Sequence, residues 1–183
     1  MRKLRNLFIL SIAILTFTFT NANAQGFSSD KSTRNIEQKV FKKVNGLVNY
    51  GLFDHIAFQV NGDTVTLYGK VLNGINKSSA ARAVKDVAGV RRVVNNIEIL
   101  PPSPSDDRIR RQIVRDFANS GGIYRYLQGT SPSVRIIVDR GRVQLEGYVS
   151  NRGDSNLMNI LANGVFGVFG VENNLVVGKG NDR

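Results

Sequence analysis

The sequence predicts an α/β fold, an α+β sandwich built as two tandem modules, each running helix, strand, strand, helix, strand. Three observations carry this: a long internal repeat, a fixed order of helical and alternating apolar periods within each copy, and a proline-rich break between the copies. Laying Ile56–Ile99 over Val134–Val177 at an offset of 78 pairs Val65 with Val143, Leu67 with Leu145, Gly69 with Gly147 and Val71 with Val149. The same offset pairs Gly89-Val90 with Gly167-Val168, Val93 with Val171 and Asn95-Asn96 with Asn173-Asn174, a run of matches that marks a repeat. Upstream, Ile36, Val40 and Val44 match Ile109, Ile113 and Phe117 at an offset of 73, so five extra residues fall within 118–133 of the second copy.

The elements follow in order. Ile36, Val40, Val44 and Leu47 recur at helical spacing, as do Ile109, Ile113 and Phe117, and Ser105 with Asp106 and Asp107 predicts the start of the second copy's first helix. Ile56, Phe58 and Val60 alternate with polar or small neighbours, Asn61-Gly62-Asp63 turns the chain, and Val65, Leu67, Gly69 and Val71 alternate again, which is a β-hairpin. Ala80, Ala81, Val84 and Val87 predict a second helix, and residues 93–100 a last strand joined by a right-handed crossover. Each module is then a three-stranded mixed sheet covered on one face by two helices. The other face carries Gln59, Thr66, Tyr68 and Lys70 in the first copy, and Arg135, Gln144, Glu146 and Tyr148 in the second; it is either wet or docked on a partner. In the second copy Asn163-Gly164 replaces Lys85-Asp86, and a glycine inside a helix costs about 1 kcal/mol, so that helix is expected to end early.

The predicted domain limits are a first module over 31–100, a linker over 101–105, a second module over 106–178 and a short tail over 179–183. Pro101, Pro102 and Pro104 make the linker extended and semi-rigid. Residues 25–31 and the tail are small and polar and are expected to be mobile. Residues 1–24 have the form of a secretory signal peptide: Arg2, Lys3 and Arg5, an apolar run from Leu7 to Phe19, then Ala22-Asn23-Ala24. The run is too short for a bilayer-spanning helix of about 20 residues, so a soluble periplasmic protein beginning near Gln25 is expected. The 25 basic and 14 acidic residues, less the three basic residues of the leader, leave the mature chain at +8, a charge that favours anionic partners. Outside the cytoplasm these are phospholipid head groups or glycolipids, with envelope proteins as further partners and no nucleic acid expected.

The chain has no cysteine, which excludes disulfides, thiol catalysis and zinc-thiolate sites. His55 is the single histidine, and no acid, base, nucleophile or metal-ligand cluster accompanies it; the expectation is a non-enzyme without cofactor or metal.

The segment Gly69-Lys70-Val71, then Ala80, Ala83, Val84 and Val87, then residues 89–99 (GVRRVVNNIEI) resembles the BON-domain signature. The second copy repeats it as Gly147-Tyr148-Val149, Leu161, Ala162 and Val165, then Gly167-Val168 and Val171 through Leu175. A leader followed by two such domains is similar to the osmotically inducible periplasmic proteins and their outer-membrane-associated relatives. The resemblance implies phospholipid or envelope binding, with a role in envelope stress, and no catalysis.

Candidate lipid-binding residues cluster in the second copy. Arg108, Arg111 and Arg115 recur at helical spacing, beside Arg110, and Arg125 with Tyr126 follows in the lengthened segment. Arginine meets phosphate bidentately and tyrosine suits the membrane interface, although an ordinary solvated helix face beside a core tyrosine has the same pattern. Phe169 takes the place of Arg91, and Tyr148 that of Lys70, so both aromatics are expected at the surface, covered by the other module or by a partner or lipid. Gly69, Gly89, Gly147 and Gly167 hold equivalent positions and are expected to serve the backbone. The rival class is a protein-interaction or stress-protective scaffold without lipid binding.

Overall fold

The alternating segments pair as the repeat requires. The computed structural model describes residues 26–129 and 131–178, with side chains from Lys31 onward; the leader and tail readings lie outside them. In the first module α1 (Gly26–Asn45) precedes β1 (His55–Asn61), β2 (Thr64–Val71), α2 (Gly74–Lys85) and β3 (Arg92–Ile99). In the second, α3 (Pro104–Asn119) precedes β4 (Val134–Asp139), β5 (Arg142–Val149), α4 (Arg152–Asn163) and β6 (Gly170–Val177), with a 3-10 segment Gly121–Leu127 inside the lengthened connection. Each sheet has its hairpin antiparallel and its last strand parallel, with the middle strand β2 or β5. Both are mixed α+β sandwiches. The registers repeat at the offset of 78: Ile56 faces Gly69 as Val134 faces Gly147, and Val65 faces Val93 as Val143 faces Val171.

The inward residues of each sheet meet two helices. Val40, Val65, Leu67, Ala80 and Val84 are fully buried in the first core, and Ile113, Phe117, Ile136, Leu145 and Met158 in the second. Asn95 and Asn173 lie within the last strands. Their amides donate to the carbonyls of Lys77 and Ser155, tying each last strand to the helix above it.

Three local expectations change. α1 already runs from Gly26, so helix occupies most of the stretch expected to be mobile. α3 begins at Pro104, capped by the Ser103 hydroxyl, which accepts from the Asp106 amide; Pro104 sits at the helix start, where its missing N–H leaves no gap. α4 does not end early: it spans 12 residues, as α2 does, and ends at the equivalent position. Gly164 is its C-cap, just outside the helix, where glycine carries no interior penalty.

The outer face of the second sheet is docked on the first module along β4, while its β6 side stays exposed. Every residue from Val134 to Val138 is buried, on both faces of β4. The loop from Tyr50 to Asp54 lies along the edge of β4, where the Ile136 amide donates to the Leu52 carbonyl at 2.9 Å. Arg135 stacks on the Tyr50 ring at 4.2 Å and donates to the Gly51 carbonyl at 2.7 Å. Asp54 holds the loop in shape by accepting from the Gly51 and Leu72 amides and the Asn76 side chain. Further along the contact, Lys70 pairs with Asp139 at 2.6 Å, and His55 lies 3.9 Å from Glu146.

This contact makes stability depend on pH. Burial holds the His55 imidazole below its usual value near 6.5, against the opposing pull of Glu146. The unfolded chain therefore binds the proton more readily, so stability falls as pH drops through about 6.5. The hydrogen bond from Lys70 holds Asp139 below the ordinary carboxylate value of 3.8, so its contribution is present above that value and disappears only in stronger acid. Urea midpoints measured at falling pH should decline in these two stages, and His55→Gln should flatten the first.

Candidate functional site

At one end of the second module three segments meet: the first turn of α3, the β4–β5 turn and the turn that follows α4. Asp106, in the first turn of α3, does not face solvent. Its carboxylate is 2 % exposed and accepts from the amides of Arg140 and Gly141, at 3.0 and 2.9 Å, which pins the helix to the hairpin turn. The Phe169 amide donates to the Gly141 carbonyl at 2.8 Å, which pins the third segment to the second. A shallow cavity of about 380 Å³ lies among them, lined by Ser103, Arg108, Ile109, Arg140, Phe166 and Phe169. Its rim is apolar to an unusual degree: Phe166 is 90 % exposed and Phe169 80 %.

The arginines of α3 divide. Residues 108, 111 and 115 are exposed on one stripe of the helix, opposite the buried Ile109, Ile113 and Phe117. Arg110 turns inward instead, bonded to the Asp107 carboxylate at 2.7 Å and to the Val138 carbonyl.

Arg125 and Tyr126 are not beside them. Tyr126 is buried, its hydroxyl accepts from the Ser150 amide, and that hydroxyl and Arg125 both donate to Asp154. Asp154 lies in the first turn of α4 and Phe166 just beyond its last, roughly 18 Å apart at 1.5 Å per residue. Comparing the copies explains the tyrosine. In the first module the equivalent amide, of Leu72, is accepted by Asp54, and Asn76 stands where Asp154 does. Tyr126 and Asp154 thus perform in the second module what Asp54 and Asn76 perform in the first, and the pair is structural. The expectation that Tyr126 meets lipid is corrected by this burial, and Arg125 is held by the same carboxylate.

Phe169 lies outside the contact between modules, whereas Tyr148 is half-buried on the outer sheet face. Gly89 and Gly167 lie against Ile36 and Ile109 of the first helices, and Gly69 and Gly147 against the neighbouring strand. Two residues of the site were not singled out in the sequence, Phe166 and Arg140. The same comparison of copies could have found Arg140, which replaces Gly62 of the first hairpin turn, but not Phe166, whose counterpart Ala88 carries no such signal. No group of three His, Cys, Asp or Glu residues that could hold a metal occurs among the described residues, and no described helix is long and apolar enough to cross a membrane.

Two tandem α/β sandwiches, the second with exposed basic and aromatic side chains at one end, define a protein of modular type. The model of the BON domain matches the chain twice, over residues 32–101 and 105–179, and the chain belongs to the BON-domain family. That family consists of binding and adaptor domains associated with membranes, phospholipid and the cell envelope. No curated protein matches the chain. Among solved structures it is similar to the C-terminal domain of CdsD, the structural protein of the type III secretion system of Chlamydia trachomatis. The identity is 14 %, 80 % of this chain and 96 % of that one are covered, and the TM-score is 0.30. A second structure of CdsD, also 14 % identical, covers 81 % of this chain and 94 % of its own, with a TM-score of 0.31.

Proposed function

We propose that this protein is an exported, periplasmic envelope adaptor that engages the anionic phospholipid surface through its second module. The observation that carries the reading is the stripe of Arg108, Arg111 and Arg115, all exposed on the face of α3 turned away from the core. Rising 1.5 Å per residue, the stripe extends about 10 Å, which spans neighbouring head groups. The family's association with phospholipid, the leader-like first 24 residues and the +8 charge of the remaining chain support the same partner. Bidentate contacts from arginine to phosphate give attraction that salt weakens but does not abolish.

Co-sedimentation with neutral and anionic liposomes at low and physiological salt tests this. Binding should require anionic lipid, and the double substitution Arg111→Glu, Arg115→Glu should reduce it at least tenfold while leaving the circular dichroism spectrum unchanged. Undiminished binding by that variant would remove the arginine assignment.

A second reading, a scaffold that docks envelope proteins, draws on Tyr68 and Val94, which are exposed on the outer face of the first sheet. A partner retained from envelope extract at raised salt, and lost with Tyr68→Ser, would favour it.

A further inference from the structure

We infer that Phe166 and Phe169 form an insertion tip that enters the acyl layer of an anionic bilayer, with Arg108 and Arg140 held at the level of the phosphates. The inference rests on the membrane reading above and adds an apolar anchor and an orientation to it.

The fold does not need aromatics at these positions. The first module closes the same turn with Ala88 and Arg91, and the core beneath, around Ile36 in one copy and Ile109 in the other, is complete in both. At 90 % and 80 % exposure the two rings stand in water with little protein over them, three residues apart in one turn. A patch of this kind rimmed by cations is the signature of a contact surface.

The turn that carries the rings is held in place. The Val168 amide donates to the Val165 carbonyl at 3.1 Å, and the Phe169 amide to that of Gly141. Gly141, at φ +74, lies directly under Phe169: a Cβ added there would come within 2.7 Å of the ring and 2.8 Å of the Gly167 carbonyl. A turn anchored this way loses little freedom when it binds, so the apolar gain of insertion is retained.

Charge selects lipid as the occupant. The Arg140 side chain is 82 % exposed and only loosely paired, 4.0 Å from an Asp139 carboxylate that Lys70 already holds. Arg108 is exposed beside it, and of the nearby acids Asp106 is turned inward and Asp107 is paired with Arg110. The tip therefore presents two cations around two apolar rings. Phenylalanine has no polar atom to keep it at the interface, where tyrosine and tryptophan settle, so it partitions below the phosphates.

The chain contains no tryptophan, so Phe169→Trp introduces a single indole reporter. On vesicles mixing phosphatidylcholine and phosphatidylglycerol, its emission should shift to the blue and be quenched by acyl-chain bromines. The same reporter at Tyr68→Trp, on the first module, should do neither. Phe166→Ser and Phe169→Ser, both at exposed positions, should each lower the partition coefficient about tenfold, and should lower it equally at high salt. If the protein sediments with anionic vesicles while the indole at 169 stays unshifted and the double serine variant binds as the parent does, insertion is wrong and the charge-based reading stands. If the parent sediments with neither vesicle, both fail.

Discussion

Gly147→Ala is expected to unfold the second module. Gly147 lies opposite Val134 in the β4–β5 pairing at φ +115, and an added Cβ would stand 2.0 Å from the Ser133 carbonyl oxygen and 3.2 Å from the Val134 Cα. These are backbone atoms, so no rotamer change relieves the clash. The strands must part, and they part beside Val134 and Val149, which are among the fully buried residues of the core. The strain and lost packing together should exceed about 4 kcal/mol, most of the stability of a domain this size. Gly69→Ala should do the same to the first module, since its Cβ would come within 2.2 Å of the His55 carbonyl oxygen. Gly62→Ala has a positive φ but open space around it, and should cost only about 1 kcal/mol. Urea unfolding followed by circular dichroism separates the three. A loss at Gly147 no greater than at Gly62 would show that the hairpin yields more easily than its geometry implies.

Arg135→Ala is expected to uncouple the modules. The guanidinium is 5 % exposed, and burial lowers its pKa, an effect that the neighbouring Tyr50 and Asp54 oppose. Removing it strips the ring of Tyr50 of its cation and leaves the Gly51 carbonyl without its donor inside the contact. Breaking a buried interaction of this sort costs about 3 kcal/mol, because what remains is a desolvated acceptor beside a cavity. The loss should appear as a separation of one unfolding transition into two, and as a larger radius of gyration in solution scattering. Arg135→Lys should restore little, since an ammonium cannot both stack on the ring and reach the carbonyl. Arg142→Ala, at an exposed position of the same sheet, should leave a single transition.

Much of this architecture is legible in the sequence because local and long-range signals coincide. The glycine pair Gly69 and Gly147 fixes the register of both hairpins, and the apolar alternation assigns their inner faces. What escaped is what one copy does to the other. Arg135 looked like a residue of a face that could be wet or docked, and only the fold brings Tyr50 and Gly51 over it. A signal was present: β4 runs Ile136-Ile137-Val138 without alternation, the pattern of a strand covered on both sides, where β1 has Phe58-Gln59-Val60. Tyr126 was misleading for a chemical reason. A tyrosine beside an arginine has the same appearance at a lipid interface and in a buried hydrogen-bond network, and only the replacement of Asn76 by Asp154 distinguishes them. At the tip, reading the copies against each other exposed Phe169 through the arginine it replaces, whereas Phe166 replaces an alanine, which reports nothing about solvent.

The docking of the Tyr50–Asp54 loop along β4 makes the duplicated halves unlike in kind. A strand border with open amides and carbonyls is a template on which other chains can assemble, and proteins ordinarily blunt such borders with charges, prolines or bulges. Here the preceding copy supplies the cover, through the Leu52 carbonyl and the side chains of Leu52 and Phe53 packed on the neighbouring core. The second copy can therefore keep the apolar run Ile136-Ile137-Val138, which a freestanding domain would have to break with charge. The duplication has produced a host and its guardian, no longer interchangeable parts, and exchanging their order along the chain would leave the sticky border bare.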